Sequence, residues 1–214
     1  MRNSLMLAMV ILSFNRTIAQ AHGGFEQYFY APKSGPAVLV PVVYYQTEHN
    51  WYFESHINYE QVHTYSVYIG KTFSENKEFS WSFTPMLGGL LGSLKGGIFG
   101  LNAEMNYKKL HFTSQSQYIF SFEKNKADFF YSWIELGYQV IRNTLIGFSI
   151  QNTMINPVNV KLETGLFIRL NVKKWNFPVY CFNSTSENRY WILGVAREFS
   201  FPVNKINKGE LVKP

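Results

Sequence analysis

The chain has 214 residues, a net charge of +6 and 46% hydrophobic residues. That basic surplus is small and spread along the sequence, so it does not argue for a nucleic-acid partner. Its one cysteine, Cys181, rules out a disulfide framework, and five scattered histidines offer no metal cluster, so neither metal nor cofactor is expected.

Residues 1–21 read as a cleaved secretory signal: basic Arg2, an apolar run of ten residues, and the small-x-small ending Ala19-Gln20-Ala21. Ten apolar residues are too few for a membrane helix, which needs about 20. Loss of Arg2 and Arg16 with the signal lowers the net charge to +4. The barrel is then expected over 22–201, followed by a C-terminal tail, 202–214.

Strand periodicity recurs over 25–30, 37–46, 51–60, 64–73, 79–90, 98–107, 110–122, 129–140, 145–153, 160–172, 176–183 and 190–201. The segment 110–122 is the clearest. Leu110, Phe112, Tyr118, Phe120 and Phe122 alternate with His111, Thr113, Gln115 and Gln117. At about 3.3 Å per residue it is roughly 40 Å long, enough to cross a bilayer at a tilt. Aromatics make up 18% of the chain, and no apolar run after the signal approaches 18 residues, so any membrane crossing is by strands with aromatic girdles. The expected fold is all-β: an antiparallel up-and-down transmembrane β-barrel of about twelve strands, with ten as the alternative. Counting back from the last strand makes 48–50, 74–77, 108–109, 142–144 and 173–174 tight periplasmic turns. The outer loops are then 32–35, 61–63, 91–97, 123–128, 154–159 and 184–189, and Trp51, Trp81 and Trp175 fall at the periplasmic strand ends.

A charge facing lipid at mid-bilayer costs about 2 to 4 kcal/mol, so the polar face of each strand should line the lumen. This selects Glu54, His56, Asn58, Glu104, His111, Gln115, Gln117, Glu135, Gln151, Glu163 and Arg169, together with Glu60 and Lys161. Arg197 falls on the apolar face and is tolerable only near the interface. Phe129, Tyr131, Trp133 and Phe167 point inward and narrow the lumen, whose carboxylates are expected to pair with Lys161, Arg169 and His111. A soluble periplasmic barrel binding protein would show the same alternation with its faces exchanged.

The phrases HINYEQVHTYSVYIGKTF, SFTPMLGGLLG, SQSQYIFSF, FFYSWIELGYQ and RYWILGVAREFSF resemble an uncharacterised family of outer-membrane β-barrel proteins of Gram-negative bacteria, over nearly the whole mature chain. The resemblance implies outer-membrane location and a porin-like fold, and it carries no established activity. Barrels of this kind end on an aromatic residue read by the insertion machinery, whereas here 13 residues follow Phe201.

Two functions compete on the polar face. A structural or small-solute passage role, with outer-membrane lipid and the insertion machinery as partners, needs only a polar, partly filled lumen. A lipid-active acyl hydrolase needs a serine and a histidine in hydrogen-bond reach, and His56, Ser66 and Glu54 are the candidate set. Glycines between Thr84 and Gly100 match no phosphate-binding spacing and read as a bend and a sharp loop.

Overall fold

The computed structural model describes residues 21–156 and 159–201, and the strands are β1 (His22–Pro32), β2 (Val38–Gln46), β3 (Trp51–Ile57), β4 (Thr64–Lys71), β5 (Phe73–Glu75), β6 (Phe79–Gly92), β7 (Gly96–Tyr107), β8 (Leu110–Ser121), β9 (Phe129–Ile141), β10 (Thr144–Asn156), β11 (Asn159–Val172), β12 (Trp175–Phe182) and β13 (Tyr190–Ser200). Nearly all of the expected signal and the whole C-terminal tail lie outside the described residues.

Successive strands pair antiparallel, and the first pairs with the last from His22↔Ser200 to Pro32↔Tyr190. Beyond that register the Phe201 N–H donates to the Ala21 carbonyl at 2.9 Å. β4 and β5 both pair with β6, so they are two halves of one stave and the thirteen segments close into a twelve-stranded barrel. Thr72 breaks that stave because it is spent elsewhere: its N–H donates to the Asn50 carbonyl, and its hydroxyl reaches Gln46 and Thr84, both at 2.9 Å.

The two faces are sorted as a bilayer requires. Leu87, Leu91 and Phe148 are each more than 60% exposed on the outside, whereas Thr64, Ser66 and Ser149 are buried inside. A water-soluble barrel would reverse this, so the soluble alternative is overturned. At the end bearing both described termini the reversals are tight, with Asn50, Lys108 and Lys173 at φ of 61°, 54° and 58° supplying the left-handed backbone that short hairpin turns demand. Rings and cations form a belt there: Lys71 lies 5.0 Å from the Trp51 ring, Lys108 5.0 Å from Tyr107, and Arg197 4.9 Å from both Trp175 and Phe199. Amphipathic rings and long cationic stems suit a membrane interface, and Arg197 sits within it.

Among the boundaries that differ from the sequence reading, three shape the interior and the turns. β3 stops at Ile57 and not at residue 60, because Asn58 takes φ of 63° and turns the chain into the barrel. β6 and β7 run through the glycines, leaving only 93–95 as loop; Gly92, at φ of +117°, makes the reversal, and a Cβ there would meet the His63 carbonyl at 2.2 Å. The turn expected at 74–77 is displaced to 76–78, since β5 carries the stave on to Glu75.

Candidate functional site: the lumen

Alternation delivers inward side chains to three levels. Nearest the turn end is a cavity of about 760 Å³, within the size range of small-molecule sites. Its walls include Glu26, Tyr44, Tyr52, Glu54, Glu104, Gln115, Glu135 and Arg169. Beside it, sharing Glu54 and Gln115, a second space of only about 10 Å³ lies between His56, Tyr59, Tyr68 and Gln117, barely enough for one water. Towards the loop end two apolar clusters fill the bore, one around Met86, Leu90, Leu94, Ile98 and Ile119, the other around Trp133, Phe167, Tyr180, Phe182 and Ile192.

The neck is built on β3, β4 and the loop between them. His56 and Ser66 are direct cross-strand partners. The imidazole is shared by two carboxylates, with Nε2 2.8 Å from Glu54 and Nδ1 3.3 Å from Glu60. Ser66 donates to Glu60 at 2.9 and 3.0 Å, Tyr52 donates to Glu54, and the Tyr68 hydroxyl lies between Glu60 and Gln117, 2.7 Å from the latter. Burial would raise the Glu60 carboxyl, but bonding to His56, its charge and the Tyr68 hydroxyl outweigh that and hold Glu60 below the ordinary carboxylate range. Tyr59, beside it, donates to Gln115 at 2.7 Å and sets its ring against Tyr131 and His56. A six-residue connection thus enters the lumen and closes the neck.

The other expected lumen residues distribute along the bore. Arg169 pairs with Glu135 at 2.5 Å and reaches the Tyr180 hydroxyl at 3.3 Å. Lys161 pairs with Glu163 at 3.0 Å, and Gln151 accepts from Tyr190 at 3.3 Å. Glu104 accepts from Asn106 at 2.8 Å. His111 corrects its expected partner: its ring meets Asn106 at 2.6 Å, because Asn106 and His111 face each other across β7 and β8, and not a carboxylate. Asn58 works in the loop, donating to the Leu39 carbonyl at 3.0 Å and accepting the His63 N–H at 2.7 Å. Of the hydrolase set, Ser66 gives its hydroxyl to Glu60, and His56 turns its two nitrogens to Glu54 and Glu60. The sequence reading missed the inward turn of Tyr59; the one signal for it was Asn58, a residue that tolerates left-handed backbone. It also left unassigned the face of β1 that carries Glu26 and Tyr28.

No protein-family profile and no curated protein matches the sequence. Solved structures do. The chain is similar to the KdgM porin, with a TM-score of 0.60 at 13% identity, covering 84% of this chain and 99% of that one. The same porin in complex with disordered oligogalacturonate gives 0.60 at 12% identity, with the same coverage. OpdQ of Pseudomonas aeruginosa gives a TM-score of 0.43 at 11% identity, over 81% of this chain and 59% of that one. With its apolar wall outside, its polar groups inside and this likeness in fold, the chain is a closed twelve-stranded β-barrel of porin-like fold.

Proposed function

We propose that this barrel passes small solutes across the outer membrane through a narrow lumen, with the turn end in the periplasm and the neck at 58–63 as the gate. The supporting observation is the 760 Å³ polar cavity, next to which the interior at Tyr59 leaves a space of only about 10 Å³. A purely structural wall has no use for a roomy, hydrogen-bonding interior at one end, whereas a conduit needs one. Tyr59, on the short loop, closes this neck against the wall side chains His56, Tyr68, Gln115 and Gln117. The KdgM porin structure with oligogalacturonate is consistent with solute handling by this fold, and the present cavity mixes carboxylates, tyrosines, basic side chains and neutral polar groups.

Planar-bilayer recording tests this. The wild-type barrel should give small, infrequent steps, and Tyr59→Gly should give larger and longer ones, because it removes the ring that closes the neck. Absence of any step in both proteins, with the barrel shown to be inserted, would reject passage.

A further inference from the structure

The cavity wall over β1, β2 and β3 brings two tyrosine rings and two carboxylates together. Tyr44 and Tyr52 stack there, with ring centroids 6.1 Å apart at 21°, and both line the cavity. The Tyr44 ring lies along the wall because its neighbour is glycine: a Cβ on Gly24 would meet the Tyr44 Cζ and hydroxyl at 2.6 Å. Gly24, Tyr44 and Glu54 are successive cross-strand partners, and Glu26 is the next inward residue on β1. An aromatic floor therefore carries a carboxylate on each side. Glu54 is engaged by Tyr52 and His56, whereas Glu26 takes only the Tyr28 hydroxyl, at 2.7 Å, and has no ion-pair partner within 4 Å among the described residues. Across the cavity Arg169 is already held by Glu135, and Lys173 and Lys174 stand at the turn-end rim.

We propose that this floor is a binding site for an organic ammonium ion. The inference rests on reading the lumen as a solute path and names the class of solute. A weakly hydrated ammonium gains attraction from ring faces and from carboxylates at once. A bare metal ion needs several donors converging on one point, and no such group of three exists among the described residues. An anion would meet Glu26 and Glu54 at short range.

The test is calorimetric titration of the full-length folded protein in detergent with benzyltrimethylammonium, benzyl alcohol and benzenesulfonate. The expected result is binding of the cation about tenfold tighter than of the neutral alcohol, reduced about tenfold in both Glu26→Gln and Tyr44→Leu. Each variant is first shown to be folded by its boiling-dependent gel mobility. Equal binding of all three probes, preference for the sulfonate, or cation binding unchanged in both folded variants would overturn the proposal. Conductance separates the two readings: cation binding without any channel steps rejects passage and leaves the site, and channel steps without cation preference reject the site and leave passage.

Discussion

Arg169 shows how a single side chain holds the lumen's interior together. It spans from β11 to Glu135 on β9 and reaches Tyr180 on β12, with its charge over the Phe167 ring at 5.4 Å. Removing one partner of such a pair leaves the other charged in a poorly solvated place. Because Arg169 remains about one-fifth exposed, Arg169→Ala should cost about 3 kcal/mol, the lower end for breaking a buried pair. The temperature at which the folded gel band disappears should fall accordingly, and Arg169→Lys should recover part of the loss. Trp133 is the apolar counterpart. It is buried against Tyr28, Tyr180 and Phe182 and donates to Ser149 at 2.7 Å. Trp133→Ala should destabilise by about 3 to 5 kcal/mol and widen the bore, read as a larger conductance step. The inward setting of Trp133 and Phe167 could be read from alternation alone. Which polar group each charge would meet could not: Arg169 with Glu135 and His111 with Asn106 depend on cross-strand register, and one residue of slip changes every partner.

The loop at 58–63 is the element on which function turns. Its hold on the neck is electrostatic. Glu60 faces His56 on β3 and Ser66 and Tyr68 on β4, with Glu54 on the far side of the imidazole. Since the Glu60 carboxyl is held below its ordinary value of 4.5, its contribution is complete above about pH 4.5 and is lost as pH falls through the lower folded value. Wild-type conductance should therefore rise on acidification, once the pH has fallen below the ordinary carboxylate value of 4.5. Glu60→Gln should be already open at neutral pH and should lose that rise. An unchanged acid response in Glu60→Gln would show that another group controls the neck. Strand existence and order were legible in the sequence because a period of two persists over long segments. This loop was not, because period-two polarity continued past Ile57 through Asn58 and Glu60 while the backbone turned. The extra segment at Phe73–Glu75 escaped for a similar reason: Thr72 keeps the pattern but leaves the ladder.

The molecule as a whole is defined by what each face will tolerate. Leu87 stands on the outer wall within β6, 63% exposed between its apolar cross-strand neighbours Ile69 and Phe99. Leu87→Arg should cost about 2 to 4 kcal/mol in lipid and lower the yield of folded barrel in vesicles. Thr84→Arg, three residues away and facing the cavity, should spare membrane insertion and change conductance instead. Equal insertion of both variants would contradict the assignment of the wall.

The seam between β1 and β13 gives the ring a history. Because the Phe201 N–H already reaches the Ala21 carbonyl, a linker of a few residues would join the two ends, and the chain could be cut anew at Lys108–Lys109 with every neighbour kept. In the finished wall no strand is first or last. During synthesis β1 is the earliest to emerge and the last to find its second partner, so it remains an open edge until the final stave arrives. The hazard lies in that interval, when any other extended strand could take the place reserved for β13.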